Sequence, residues 1–191
     1  MNEVSEKVLI SQLVDNAEGA FECFVQQYQH LVFNTSLNFL AIKEDAEEIT
    51  QDVFVEVYKS IGSFKGESTL KTWVYRIAIT KCLEFLRKAK RKKRFAFMVS
   101  IGNIGENSDE PKTLDHPGVL AENHERTEIL YQQINRLPDN QRIAFTLYNM
   151  DGISYKEISQ TMDLSVSSVE SMIFRAKKNL RKKLFNYYKK T

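Results

Sequence analysis

Residues 152–184 read GISYKEISQTMDLSVSSVESMIFRAKKNLRKKL, and their pattern predicts a helix-turn-helix. Ser154 and Glu157 form the S-x-x-E capping box that opens a first, short helix. A tight turn at residues 163–164 follows, and a second helix starts at Ser165 or Ser167. Apolar residues at helical spacing fix the inner side of this second helix, leaving hydroxyl and basic side chains on its outer side.

The outer side of the second helix has the chemistry of a DNA-reading surface. The major groove of B-DNA accepts one α-helix, whose first turns contact base edges. Basic residues further along such a helix neutralise the phosphate backbone and add affinity for any DNA sequence. We therefore predict that this helix binds DNA, with a plain helical hairpin carrying a basic face as the alternative.

The rest of the chain predicts an all-α protein of two small helical domains joined by a flexible linker. Apolar residues recur at helical spacing on both sides of residues 95–125, a segment rich in glycine, proline and asparagine. We place the domains at residues 1–94 and 126–191, with the helix-turn-helix in the C-terminal one. In the N-terminal domain, Asp45 is expected to cap a third helix, and Ser68 or Thr69 a long fourth one.

Charge is distributed unevenly, although the net charge is only +2. The third helix, over residues 43–56, is strongly acidic, whereas residues 87–94 read RKAKRKKR and residues 175–190 carry basic side chains with no acid. Such segregation predicts two contacts with anions and one with a basic partner. Solvated helix faces are the alternative for any single run.

Several classes of protein are not expected from this sequence. No apolar run is long enough to span a membrane, the N-terminus lacks the features of a secretion signal, and we expect a cytosolic protein. The three histidines and two cysteines form no metal-ligand motif, so no metal or cofactor is expected. Cys23 and Cys82 lie in apolar helical patterns and are expected to be reduced and mostly buried; a disulfide or a reactive thiol is the alternative.

Three stretches of the sequence resemble extracytoplasmic-function sigma factors of bacterial RNA polymerase. DAEEITQDVFVEVYKSI (residues 45–61) and SFKGESTLKTWVYRIAITKCLEFLRK (residues 63–88) are similar to the two signatures of their N-terminal domain. Residues 137–184 resemble their promoter-reading C-terminal domain. The resemblance covers about residues 20–184, apart from the linker, and TWVYRIA (residues 72–78) is its most distinctive motif.

The resemblance implies that the N-terminal domain has two binding surfaces. The acidic helix would dock the clamp helices of the polymerase's largest subunit through Glu48, Gln51, Asp52 and Phe54. The long fourth helix would bind the downstream (−10) promoter element and help to open it. Its implied contacts are Trp73, Arg76, Thr80, Lys81, Arg87, Lys88 and Arg91. A lone Trp on an apolar helical stripe is usually a core residue, so the role of Trp73 stays open.

For the C-terminal domain, the resemblance implies a surface that reads the upstream (−35) promoter element. Its residues would be Ser168, Ser171, Phe174, Arg175 and Lys178. Three positions depart from the family's pattern, namely Thr80, Glu84 and Glu170. Glu170 stands where many relatives have a basic residue, and its carboxylate could accept from a cytosine amino group or could complete a capping box with Ser167.

The implied partners are the RNA polymerase core, promoter DNA and an anti-sigma protein, with no small-molecule substrate and no catalysis by the chain itself. The linker would thread into the channels of the polymerase, unless it is an ordinary tether. A stand-alone helix-turn-helix regulator that binds DNA without polymerase is the main alternative. An enzyme binding metal through the acids of residues 44–56 is the least favoured, because these acids lack the Glu-x-x-His pairing of helical di-metal sites.

Overall fold

The computed structural model describes residues 3–102 and 124–189, and every long regular element in this part of the chain is an α-helix. The predicted all-α fold is therefore confirmed. A short 3₁₀ turn, Ile61–Ser63, follows the third helix. The helices in chain order are α1 (Glu3–Val14), α2 (Ala20–Leu40), α3 (Lys43–Ser60), α4 (Leu70–Gly102), α5 (His124–Ile134), α6 (Asp139–Asn149), α7 (Tyr155–Met162) and α8 (Val166–Tyr188).

The ends of α3 and α4 show which capping predictions hold. Helix α3 begins at Lys43 after the extended residue Ile42, with no side-chain cap, so the predicted cap at Asp45 is wrong. Thr69 does cap α4, because its hydroxyl accepts the N–H of Thr72 at 3.1 Å. Helix α4 continues to Gly102, into the segment predicted as linker, and residues 103–123 of that segment lie outside the described residues.

Helices α1–α4 pack around one apolar core. The apolar residues that recur at helical spacing through α3 and the residue after it are all buried, as an amphipathic helix requires: Ala46, Ile49, Val53, Val57 and Ile61. Cys82 of α4 is buried in this core. Cys23 of α2 is exposed, so the expectation of two buried thiols is wrong for this residue. The apolar stripe of α2 is broad, and Cys23 lies just outside it.

Helices α5–α8 form the second unit, in which α6 and α7 pack on α8. Leu147 of α6, Ile158 of α7 and Val169 of α8 are completely buried. The same apolar cluster continues into Phe24 and Val74 of the N-terminal helices. The two units therefore share a continuous core, with α4 against α7 and α2 against α6. Within the described ranges, no helix has the length and hydropathy to cross a membrane.

Candidate nucleic-acid interface

The helix-turn-helix forms as its sequence predicts. The Ser154 hydroxyl accepts the N–H of Glu157 at 3.3 Å, and the Glu157 carboxylate accepts the N–H of Ser154 at 3.2 Å, which confirms the capping box. The Ser154 hydroxyl also donates to the Glu157 carboxylate at 2.7 Å, and this hydrogen bond, together with that from the Ser154 N–H, lowers the pKa of Glu157. At the other end of α7, Asp163 adopts a left-handed conformation with φ of 54° and turns the chain toward α8.

The start of α8 distinguishes between the two serines proposed as its cap. Helix α8 begins at Val166, and the Ser165 hydroxyl accepts the N–H of Ser168 at 3.2 Å. Ser165 is therefore the cap, and Ser167 lies inside the first turn. The inner side of α8 is the predicted one, since Val169, Ile173 and Leu180 are all buried.

The outer side of α8 presents most of the residues predicted to contact the upstream promoter element. Ser171, Phe174, Arg175 and Lys178 are exposed, and their spacing places them on one side of the helix. Phe174 is 68% exposed, which is unusual for so large an apolar side chain. Ser168 is half-buried, and its hydroxyl lies 2.8 Å from that of Ser165.

An open depression of about 470 Å³ runs along this side of α8 and includes residues that the sequence analysis missed. Tyr155 lines it, and its ring stacks on that of Tyr148 with centroids 4.7 Å apart. The Lys177 ammonium lies 5.0 Å from the centre of the Tyr148 ring. Tyr155 is the first residue of α7, and the turn between α7 and α8 brings it beside the outer side of α8.

A second depression, of about 480 Å³, collects four of the seven residues predicted for the downstream element. Trp73, Arg76, Thr80 and Lys81 line it together. Trp73 is half-buried, with its ring centroid 5.2 Å from that of Phe64. Its ring therefore belongs partly to the core and partly to the surface of the depression.

Acidic groups share this second depression. Lys81 Nζ lies 2.8 Å from Glu56 Oε2, and Glu84 also lines the site. The hydrogen bond between Lys81 and Glu56 raises the pKa of the lysine and lowers that of the carboxyl. Lys81 is therefore charged at neutral pH, but it must leave Glu56 before it can contact a phosphate.

Arg76 and Arg87 contact the C-terminal unit. Arg76 Nη2 donates to the carbonyl of Gln160 at 2.6 Å, and its Nε donates to that of Thr161 at 3.2 Å. These carbonyls belong to the last turn of α7, where backbone acceptors lack helical partners. Arg87 Nη2 lies 2.8 Å from Asp139 Oδ2. Lys88 and Arg91, predicted for the same DNA surface, are exposed.

Further polar contacts join the two units. Thr35 and Asn38 of α2 both donate to the carboxylate of Asp151, which follows α6. Burial raises the pKa of Asp151, because a charged carboxylate is poorly solvated there. On the neighbouring side, Lys71 Nζ lies 3.2 Å from Glu157 Oε1. The described arrangement is therefore closed, with basic groups of α4 in contact with α6 and α7.

The acidic helix α3 exposes a narrow stripe of side chains, which contains three of the four residues predicted to dock the polymerase. Glu48, Gln51 and Asp52 are exposed and lie on one side of the helix. Phe54 is only 9% exposed, and its ring packs edge-on against Phe24. The structure therefore places Phe54 in the core, which corrects its assignment to the surface. Val55, which is 50% exposed, is the apolar residue that continues the stripe. Its spacing of four residues from Gln51 was the one sequence signal for this position.

The acids of α3 do not gather as a metal site would require. In the ranges that the structure describes, no group of three or more His, Cys, Asp or Glu side chains is placed to hold a metal ion.

Family models match both units of the chain. Sigma-70 region 2 matches residues 24–92, and sigma-70 region 4 matches residues 127–180. The first match covers most of α2, all of α3 and the part of α4 that carries Arg76 and Lys81 of the second depression. The second includes the whole helix-turn-helix up to Leu180.

Curated proteins of similar length match along nearly the whole chain. The ECF RNA polymerase sigma-E factor of Escherichia coli (strain K12) is 30% identical over 183 residues, which are 95% of each chain. The RNA polymerase sigma-H factor of Pseudomonas aeruginosa is 28% identical over 185 residues, which are 96% of each chain.

Two solved structures share the fold. CnrH in complex with the cytosolic domain of CnrY superimposes with a TM-score of 0.66 at 19% identity, over 95% of this chain and 97% of that one. The sigma factor RpoE of Bartonella quintana, in complex with the anti-sigma factor NepR, gives 0.59 at 21% identity, over 87% and 97%.

Proposed function

Because the chain belongs to the extracytoplasmic-function family of RNA polymerase sigma factors, we propose that three of its surfaces divide the work of promoter recognition. The chain directs core polymerase to particular promoters and assists their opening. We assign core docking and the downstream element to residues 1–94, and the upstream element to residues 126–191, with residues 95–125 between them. The catalytic step of transcription belongs to the polymerase, and we place this protein with it in the cytoplasm.

We propose that the exposed stripe of α3 docks the core. Glu48, Gln51 and Asp52 offer two charges and an amide on one side of the helix, and Val55 adds an apolar contact beside them. Charge complementarity of this kind speeds association and selects a basic partner. Phe54 is left out of this surface because it packs inside.

We propose that the depression around Trp73 and the basic end of α4 bind the downstream element. An aromatic ring can stack on an unpaired base, and basic side chains can follow the single-stranded backbone. Trp73 and Thr80 would lie against bases, and Lys81 and Arg76 against phosphates. Further along α4, Arg87, Lys88 and Arg91 would extend the phosphate contacts.

We propose that the outer side of α8 reads the upstream element in the major groove. Ser171, Phe174 and Arg175 lie in its first turns or just after them, where a recognition helix contacts base edges. Ser168 lies nearest the helix start, and Lys178 is placed for a phosphate contact. This surface combines a hydroxyl, an apolar ring and a guanidinium group. Such a combination can contact both base edges and the phosphate backbone.

We also propose an anti-sigma partner that holds the protein away from polymerase. The support is the shared fold with CnrH, solved with the cytosolic domain of CnrY, and with RpoE, solved with the anti-sigma factor NepR. The closed contact of the two units adds to it, since Arg76 cannot bind Gln160 and a phosphate at once. A partner that stabilised this closed arrangement would prevent promoter binding.

The observation that carries the proposal is the combination, in one chain, of an exposed acidic stripe on α3 with a capped recognition helix on α8. A stand-alone regulator needs the second feature but has no use for the first. Nothing in the geometry of the described residues supplies that alternative with a dimer surface.

Footprinting tests the proposal directly. The upstream region of the protein's own operon would be digested with nuclease in the presence of core alone, this protein alone, or both. The sigma role predicts protection that spans both promoter elements only when both are present. Equally strong protection by this protein alone would favour the stand-alone regulator instead.

A further inference from the structure

Glu170 lies on the DNA-facing side of α8 but carries a charge that repels DNA. It is exposed, belongs to the second turn of the helix, and lines the same depression as Ser171 and Phe174. Phe174 follows it by four residues, so the two side chains are neighbours along the helix. An acid in this position opposes the phosphate backbone unless it meets a hydrogen-bond donor.

No contact within the described residues assigns Glu170 an intramolecular role. The cap of α8 is Ser165, whose hydroxyl already accepts the N–H of Ser168, so a capping box from Ser167 to Glu170 does not form. Across residues 3–102 and 124–189, the structure gives the Glu170 carboxylate no hydrogen bond and no ion pair. Its position beside Tyr155 shows in the raised pKa of that phenol, which is due first to a hydrogen bond with Tyr148 and also to the Glu170 charge.

We propose that Glu170 is a specificity determinant that selects a cytosine in the upstream element. This inference rests on the proposed function, since it requires α8 to lie in the major groove. An ionised carboxylate only accepts hydrogen bonds. In the major groove, cytosine presents an amino donor, guanine presents two acceptors, and thymine presents an acceptor and a methyl group. Adenine has a donor, but its neighbouring N7 acceptor repels the carboxylate.

A randomised promoter library tests the proposal. Templates with a fixed downstream element and a random upstream element are transcribed by core polymerase with this protein, and the transcribed templates are sequenced. The proposal predicts one position enriched in cytosine. In E170A that preference falls by roughly fivefold or more, while preferences at the other positions remain, because one base contact carries roughly 1–3 kcal/mol of discrimination.

Two further variants at the same position sharpen the result. E170Q keeps the shape of the side chain, and its amide both donates and accepts, so adenine becomes acceptable at the cytosine position. E170R places a donor there and shifts the preference toward guanine. Since Glu170 is exposed, all three variants are expected to melt at the temperature of the unmodified protein, which circular dichroism checks.

K178A serves as the contrasting variant, because loss of a phosphate contact weakens all templates equally and reduces the dependence on salt. Unchanged base preferences at every position in folded E170A and E170Q would overturn the role of Glu170. Absence of any initiation by the unmodified protein with core would instead overturn the proposed function, and the role of Glu170 with it.

Discussion

Arg76 has two competing contacts: the predicted one with promoter DNA and the observed one with helix α7. Its sequence context predicts a contact with promoter DNA, whereas the structure shows its guanidinium donating to the carbonyls of Gln160 and Thr161. A guanidinium has a fixed fork of donors, and here two of its nitrogens are used at the end of α7. Arg76 is therefore available to DNA only when α7 moves away from α4.

The two cysteines give a direct test of how individual side chains are placed. Burial raises the pKa of Cys82 to about 12, whereas Cys23 is exposed. Because the thiolate is the reactive form, Cys82 holds almost no nucleophile at pH 8. We expect a thiol reagent to label one cysteine rapidly in the folded protein and both in denaturant.

The variants C23S and C82S identify the rapid site in that experiment. C23S should lose the rapid phase, and C82S should retain it. Rapid labelling of folded C23S would contradict the described packing of α4.

The start of helix α8 is determined locally, by a side-chain cap. Ser165 and Ser167 are both plausible caps in the sequence, but only the Ser165 hydroxyl accepts a backbone N–H. We expect S165A to lower the free energy of unfolding by about 1 kcal/mol, through loss of the cap. Urea unfolding followed by circular dichroism measures this change.

S167A is the matched control for the cap, since it removes a hydroxyl that lies 3.1 Å from that of Ser165 but accepts no backbone N–H. Its unfolding midpoint should stay close to that of the unmodified protein. A larger loss in S167A than in S165A would place the start of α8 at a different residue.

Helix α3 allows its docking stripe to be tested apart from its total charge. Reversal of Asp52 to lysine places a cation where the proposed surface meets a basic partner, so affinity for core polymerase should fall roughly tenfold or more. E47K makes the same change of charge at a residue about two fifths of a turn from Asp52 around the helix. Titration of labelled protein with core measures both, and equal losses in D52K and E47K would contradict a defined stripe.

The molecule as a whole is held closed by polar contacts around a shared apolar core. Asp151 receives two hydrogen bonds from α2, and Lys71 pairs with Glu157. In T35V, the buried Asp151 carboxylate loses one donor, which costs roughly 1–3 kcal/mol. Combined with K71A, this change should increase the radius of gyration measured by small-angle X-ray scattering.

K65A is the control for that expansion, because Lys65 is exposed and its removal leaves the contacts between the units intact. Its radius of gyration should equal that of the unmodified protein. An unchanged radius in folded T35V/K71A would show that the apolar core alone maintains the closed arrangement.

Local signals explain why much of the molecule could be predicted from its sequence. The capping box of Ser154 and Glu157 and the buried stripe of α3 depend on residues within one or two helical turns. The helix-turn-helix and its exposed basic side follow from the same short-range pattern.

The features that could not be predicted depend on distant parts of the chain. Phe54 is adjacent to the buried stripe of α3, and only the packing of Phe24 against it decides that it belongs to the core. The partners of Arg76 and of Asp151 lie in the other unit, and no local period reveals them. Sequence patterns therefore predicted the helices themselves, but not the closed contact between the two units.

Run-off transcription tests the central claim most directly. Purified polymerase core is supplied with nucleotides and a template carrying the promoter of this protein's own operon, with and without the protein. The sigma role predicts a transcript of defined length only when the protein is present. Absence of that transcript, together with tight binding of the template by the protein alone, would contradict the claim.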